Sequence, residues 1–468
     1  MSDALPHPVP WDVVVVGAGI SGLVAAHQLR RANLRVQVVD AADRAGGVIA
    51  TVTHQGCQYE CGPNSAMDTT PLIGELVTTL GLVEQLRFAS EVSHTRYVVR
   101  GGVPMALPMS PAAFLRTRLF SWRAKVTLLR EPFVARTAPG VEESIAAFVR
   151  RRLGAEFLDY AIDPFVAGVY AGDPEQISVA AAFPKLYALE QRWGSLIRGQ
   201  ILGGAQRRRQ KEKAKNTARS FSFAGGMQVL TDALARAVGP VTLGARITRL
   251  TRDGDGLFTL HADGHAQAPS WRARAVVLAL PTDTTAALLR THASDAAAAL
   301  DAIDYAPVAT VATCYARADI AHALDGFGCL VPRKEARQLL GVLFSSSMFD
   351  GRAGAGTVLL TTFVGGQRQP QLAALPEDDI AALVQAEHRA LLGARGTPLF
   401  QRVTRWPRAI PQYTLGHLGR VARAVAAQQV LPGLFFCANW KGGVSVGDCI
   451  KSGHQEADAV AAWLRAAR

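Results

Sequence analysis

The 468-residue sequence predicts a chain of the mixed α/β class (α/β at its centre, α+β in its outer parts), and three stretches predict it. Four valines, Val13 to Val16, read as buried strand and turn into a helical pattern through Gly17-Ala18-Gly19-Ile20-Ser21-Gly22. A second strand, Arg35 to Asp40, ends in a carboxylate 18 positions after Gly22. A third, Ala275 to Leu280, is apolar throughout and runs through Pro281 into a helix start at Thr282 and Asp283. Wholly apolar strands alternating with helices are the mark of a parallel sheet covered on both faces.

The first glycine turn has a physical reason at each position. Gly17 permits the tight turn, Gly19 lets backbone approach a pyrophosphate with no Cβ in the way, and Gly22 lets helix and strand pack closely. The N–H groups that open the helix, including those of Ala18, Ile20 and Ser21, then point at phosphate. Asp40 stands near the offset at which a carboxylate accepts from a ribose hydroxyl. Strand, turn, helix, second strand and acid in this order make a Rossmann-type dinucleotide unit.

After Asp40 the chain reads Ala41-Ala42-Asp43-Arg44-Ala45-Gly46-Gly47. Gly46 and Gly47 suit a second backbone approach to a long cofactor, with Arg44 placed to pair with phosphate. The run resembles the D/E-x-x-x-R-x-G-G extension of flavoproteins in the amine oxidase superfamily, with Asp40 where Glu is commoner. The expected cofactor is therefore FAD, bound non-covalently.

Composition sets the bounds. Apolar residues make up 49% and charged ones 19%, a globular balance with room for two or three substructures. Fifty Lys and Arg against 38 Asp and Glu give +12, which suits an acidic substrate, an anionic membrane surface or nucleic acid. No helix-turn-helix, zinc-finger or aromatic-plus-basic strand motif appears, so no nucleic acid is expected. Six cysteines in so long a chain form no disulfide framework, and Cys57 and Cys61 lack a second pair, so no metal is expected. Reduced thiols and a cytoplasmic location follow. No stretch of about 20 apolar residues spans a membrane.

Along the chain, Val48 to Val52 read as strand, then Gly62-Pro63-Asn64-Ser65 as a turn exposing N–H groups beside a flavin. Thr70–Leu82 reads as helix. Arg96–Val99 and Gly101–Pro108 read as a hairpin, followed by helical, arginine-bearing segments (Phe114–Lys125) and a basic run, Arg207–Lys215. Apolar helical residues close by (Leu115, Leu119, Phe120, Trp122) would supply the inserting half of an anionic-lipid contact. From 221 the pattern returns to α/β, with a helix at 227–238 and strands to Leu280. Strands Val308–Tyr315 and Thr357–Val364 with helix 377–393 form a β-sheet platform. Near the end, Gly433–Trp440 reads as strand, Lys441–Gly453 as a glycine-rich loop, and Gln455–Arg465 as helix. Glycines and Asp448 in that loop, with Val444 and Val446, suit cofactor contacts, so both chain ends would build one FAD domain.

Further segments sharpen the resemblance: Gly168-Val169-Tyr170-Ala171-Gly172-Asp173, Ile177-Ser178 with Phe183-Pro184, Gly326–Pro332, Ile410-Pro411-Gln412-Tyr413 through His417, and Gly442-Gly443-Val444 with Asp448–Gly453. Together they are similar to the oxygen-dependent protoporphyrinogen oxidases, over nearly the whole chain. The resemblance implies a Rossmann-type FAD domain (10–88 with 221–290 and 425–468), a helical membrane-associating domain (89–215) and a β-sheet substrate domain (291–424). It implies that Arg96 pairs with a porphyrinogen propionate, that Gly168 faces one side of the tetrapyrrole, and that Phe327 and Leu330 clamp a ring. Phe363 stands where some members have Met. It also implies contact with the inner face of the cell membrane and a neighbouring haem-pathway enzyme as partner.

The implied reaction is FAD-dependent oxidation of protoporphyrinogen IX to protoporphyrin IX, in three two-electron steps, with O2 as oxidant and H2O2 as product. Hydride leaves to the flavin, so no catalytic side chain is expected. Three other readings remain open: coproporphyrinogen III as substrate, another flavin amine oxidase or desaturase, and a non-catalytic flavin- and porphyrin-binding protein.

Overall fold

The structure, a computed structural model, describes residues 9–138, 140–202, 218–263 and 270–467. The basic run 207–215 lies outside them.

Valine repetition places one strand at the centre. Trp11–Val16 pairs in parallel with Val36–Val39 on one side and Ser270–Leu278 on the other. Val241–Thr242 extends the sheet in parallel beyond Val36–Val39, and Phe258–Ala262 and Ile247–Arg252 extend it antiparallel from Ser270–Leu278. Leu434–Phe436, from the far end of the chain, also pairs in parallel with Ser270–Leu278. Side-chain alternation then divides the valines between two cores. Val13 and Val15 meet the first helix, Ile20–Arg31, while Val14 and Val16 meet the opposite layer with Phe436 and Trp440.

The last helix begins earlier than its sequence suggests. It runs Val446–Ala466, not from Gln455, so most of the expected glycine-rich loop is helical. Ser445 caps it, its hydroxyl accepting from the Asp448 N–H at 3.2 Å. The glycines within it serve packing. A Cβ on Gly453 would lie 2.7 Å from Val24 Cγ1 and 3.0 Å from the Ser21 carbonyl, so the last helix rests directly on the first.

The second sheet runs Phe400–Pro411, Tyr305–Ala316, Thr357–Gly365, Gly341–Leu343, Gly328–Leu330, Tyr97–Arg100 and Val103–Ala106. Its last two strands are the hairpin placed by sequence in the helical segment 89–215; Tyr97–Arg100 pairs in parallel with Gly328–Leu330 instead. Helix Glu377–Leu392 covers one face, packing Ile380 and Val384 on Val311, Val342 and Leu360. The opposite face carries Val98, Leu330 and Phe363, with the hairpin of Thr51–His54 and Cys57–Glu60 over its far end. A small antiparallel sheet of Ala66–Met67, Ser220–Phe223 and Leu86–Phe88 lies beside the two. Val48–Ala50, read as strand, precedes the Thr51–His54 strand without joining it.

The helical segment encloses its own core of Ile145, Phe148, Val149, Tyr170 and Ile177. Fully buried Arg152 is held there by Glu131 and Glu190, each at 2.5 Å. Among the described residues no helix is long and apolar enough to cross a membrane. No group of three or more His, Cys, Asp or Glu stands close enough to hold a metal ion among them.

Candidate functional site

The glycine turn leaves the strand Trp11–Val16 at its carboxyl end, between the two parallel neighbours. Gly17 has φ +108°, and a Cβ there would lie 2.4 Å from the Ala279 carbonyl oxygen. At Gly22 the same atom would lie 2.0 Å from the Gly17 carbonyl. Gly19 differs: a Cβ there meets nothing within 4 Å, so its backbone borders open space. The first helix has no side-chain cap and no acidic residue in its first turn, so the N–H groups of Ile20 and Ser21 are free to face an anion. The Ile20 and Ser21 side chains point to the core side, so backbone is what this turn offers.

Gly46 and Gly47 form the opposing lip. The Gly46 N–H donates to Ala18 O at 2.8 Å, and a Cβ on Gly47 would lie 3.2 Å from Gly19 Cα. Both glycines have positive φ. Two side-chain-free backbones thus border one accessible trough, which fits the pyrophosphate of FAD.

Two polar residues of this unit act differently from expectation. Asp40 accepts from the N–H of Ala18 at 2.5 Å and of Ala42 at 2.8 Å, so its carboxylate braces the glycine turn and takes the Ala18 N–H that was expected to face phosphate. Arg44, expected to pair with phosphate, donates to the carbonyls of Ala45, Ile49 and Gly47 at 3.1, 3.0 and 2.6 Å. It clamps the Gly46-Gly47 turn from behind, because three carbonyls turn inward around those positive-φ residues.

The turn Gly62-Pro63-Asn64-Ser65 is anchored on the second sheet. The Cys61 carbonyl just before it accepts from Thr310 Oγ1 at 3.1 Å and Trp406 Nε1 at 2.8 Å. A Cβ on Gly62 would lie 2.1 Å from the Val48 carbonyl, so only glycine lets this turn approach the residues after Gly47. Toward the other end of the sequence, Val446 is buried with the central strand's core. Val444 packs on the helical segment's core beside Tyr170 and Tyr413.

The expected substrate residues Leu330 and Phe363 gather on the face of the second sheet opposite helix Glu377–Leu392. Leu330, Gly341 and Phe363 are direct cross-strand partners on three adjacent strands. Leu330 and Phe363 therefore stand on the same face, separated by a residue with no side chain. This leaves a shallow apolar groove over Gly341, partly filled by Leu330, whose Cδ2 lies 3.3 Å from where a Cβ on Gly341 would be. Helix Asp163–Tyr170 lies over it: Gly168 is exposed, and a Cβ there would lie 2.9 Å from Leu330 Cδ2.

Arg96 stands at the edge of the same face, two residues before Val98. Its guanidinium lies 5.4 Å from the centroid of the Phe327 ring. It is half-buried, burial alone holds its pKa below the usual arginine value, and no carboxylate pairs with it among the described residues. A cation so placed is held unpaired at a cost in solvation, and an incoming carboxylate restores the balance.

Sequence reasoning missed Gly341 and the role of Tyr413. Gly341 has a signal, since a lone glycine inside the apolar run Leu339–Leu343 marks a close approach in a strand. Tyr413 was noted only within a motif. Its hydroxyl accepts from the Gly443 N–H at 2.9 Å and donates to the Asn439 carbonyl, across 30 and 26 residues.

Known proteins resemble this chain over nearly its whole length. The family described as flavin containing amine oxidoreductase matches residues 20–461. The mitochondrial protoporphyrinogen oxidase of Nicotiana tabacum is 33% identical, over 98% of this chain and 96% of that protein. The coproporphyrinogen III oxidase of Bacillus subtilis (strain 168) is 28% identical, over 97% of each chain. A solved structure from Exiguobacterium sp. 255-15, provisionally designated a protoporphyrinogen oxidase, superposes with a TM-score of 0.80 at 22% identity, over 97% of this chain and 100% of that one.

Proposed function

The chain belongs to the flavin containing amine oxidoreductases, and from that premise we propose that it oxidises protoporphyrinogen IX to protoporphyrin IX in haem biosynthesis. It is an oxidoreductase whose cofactor is FAD. The single observation that carries the substrate is the unpaired, half-buried Arg96 beside the groove of Leu330, Gly341 and Phe363. A flat, apolar ring system with peripheral carboxylates satisfies both halves of that arrangement.

Bound FAD supplies two-electron oxidation, so one porphyrinogen and three O2 give one porphyrin and three H2O2. The chain's own residues bind and orient. Arg96 takes a propionate by charge-assisted hydrogen bonds and fixes the ring's rotation in the groove. Leu330 and Phe363 hold the ring edge and exclude water, and Gly168 lets the macrocycle lie against the helix. Gly19 and Gly47, with the N–H groups of Ile20 and Ser21, present backbone to the cofactor's phosphates, and buried Gly46, its N–H on the Ala18 carbonyl, holds that lip in place.

Aerobic turnover of the purified protein with protoporphyrinogen IX beside coproporphyrinogen III, followed by porphyrin fluorescence, tests this reading. Faster turnover of the tetracarboxylate would overturn the substrate assignment.

The same reading places the protein in the cytoplasm at the inner face of the cell membrane, within reach of a neighbouring haem-pathway enzyme. What supports the membrane contact is one surface of the helical segment; of the apolar residues expected there Leu115 and Trp122 are exposed, whereas Leu119 and Phe120 are buried with Val98 and Tyr160. Trp122, Val126 and Leu129 form a stripe at helical spacing, continued by Phe133, which is 83% exposed. Exposed Arg116, Arg118, Arg123, Arg130 and Arg136 surround it, the charge pattern of an interfacial helix.

A further inference from the structure

The turn between Leu434–Phe436 and the last helix is held by side chains that come from the other sheet. Tyr413 follows the strand Phe400–Pro411, and its ring is buried. Its hydroxyl is fully used, accepting from the Gly443 N–H and donating to the Asn439 carbonyl. One turn later His417 stacks on that ring, with centroids 4.0 Å apart and planes at 15°. His417 Nε2 lies 2.9 Å from the Trp440 carbonyl. A carbonyl only accepts, so this nitrogen carries the proton; burial pushes the ring's pKa down to about 4, and it is neutral.

Three backbone groups of residues 439–443 are therefore satisfied by two side chains from a single segment of the substrate sheet. The first part of that turn is also held by Trp440 Nε1, which donates to the Leu280 carbonyl at 3.1 Å, and by Lys441 Nζ on the Phe436 carbonyl at 3.2 Å; the Gly443 N–H takes its partner from Tyr413. Gly443 has φ +111°, which a bare chain samples as one of many conformations. It leads directly into Val444, Ser445 and the cap of the last helix.

We propose that Tyr413, braced by His417, is a positioning residue for FAD: it preforms the Gly443–Val446 turn and ties it to the sheet that carries the substrate groove. The inference rests on the FAD reading above. Ordering the turn before binding lowers the ordering cost of binding, so the cofactor meets a built surface. It also makes groove and cofactor turn move as one piece, because the strand that ends at Pro411 carries the staple.

The test is Tyr413→Phe, which keeps the ring on His417 and removes both hydroxyl bonds. Expected are an apoprotein melting temperature close to that of the unaltered chain, an FAD dissociation constant raised about tenfold by flavin fluorescence titration, and altered visible circular dichroism of bound flavin. An unaltered dissociation constant and flavin spectrum would overturn the proposal, and so would a melting temperature that falls equally with and without FAD. Failure of the unaltered chain to take up FAD would overturn the cofactor reading itself, and the proposal with it. If Tyr413→Phe does not fold, hydrogen exchange of the unaltered apoprotein decides. The Gly443 amide must be protected without FAD, and exchange there at the rate of an open loop refutes a preformed turn.

Discussion

The Arg96 guanidinium sits 5.4 Å from the centre of the Phe327 ring, and the two residues come from strands' ends separated by more than two hundred positions of chain. The aromatic face stabilises the cation without neutralising it, leaving its hydrogen-bonding edge for a ligand. Arg96→Ala removes binding made equally in ground and transition states. The Michaelis constant for the porphyrinogen should rise roughly 10- to 100-fold with kcat changed much less. Steady-state kinetics check this, and an unchanged Michaelis constant removes Arg96 from the site.

Gly19 and Gly22 should behave oppositely although they belong to one motif. Gly19→Val adds atoms to open space, so the protein should fold with an unchanged far-ultraviolet spectrum yet purify colourless. Gly22→Ala drives a methyl to 2.0 Å from the Gly17 carbonyl, and it should lower soluble yield and melting temperature. A yellow, stoichiometrically loaded Gly19→Val protein contradicts the cofactor site.

Phe363→Ala takes away one wall of the groove while the other, Leu330, remains. Phe363 is only partly buried, so the fold should tolerate the change. The Michaelis constant should rise about tenfold, the loss expected from removing part of an aromatic contact. Kinetics equal to those of the unaltered enzyme would place the substrate elsewhere.

Two buried histidines set an acid limit. Burial pushes His417 down to about 4 and His388 down to about 3, from 6.5 in an unfolded chain. The unfolded state binds more protons below 6.5, so stability is full above that pH and is lost as pH falls toward 4. Each group removes up to about 1.4 kcal/mol per pH unit within the window. Urea midpoints measured at pH 7.5, 6.0 and 5.0 should fall in that order; a flat series refutes the assignment.

The membrane reading predicts binding to vesicles of anionic lipid but not of neutral lipid, weakened by salt. Changing Trp122, Leu129 and Phe133 together to Ser should reduce co-sedimentation at least tenfold and leave turnover of solubilised substrate intact. Equal sedimentation of the altered protein would refute it.

The central sheet was legible because its signals are local: four valines, three glycines and a nearby acid describe one continuous unit. The direction of Arg44 was not, since nothing in Arg44-Ala45-Gly46-Gly47 tells whether the guanidinium faces a ligand or the turn's own carbonyls. The early start of the last helix was hidden by Gly447 and Gly453. These discourage a helix by propensity, and the close approach of Val24 and Ser21, more than four hundred residues upstream, is what selects them. The groove was half legible: Leu330 and Phe363 were singled out, but their alignment across Gly341 depends on strand register, which lies in no short segment.

Leu434–Phe436 pairs with Ser270–Leu278, and the last helix lies on the first. During synthesis, then, the opening strand and its helix emerge hundreds of residues before the pieces that cover them. Until the helix Val446–Ala466 is made, Val24 and its neighbours lack that cover, so this part of the core assembles late. Acquisition of colour should accordingly await synthesis of Val446–Ala466.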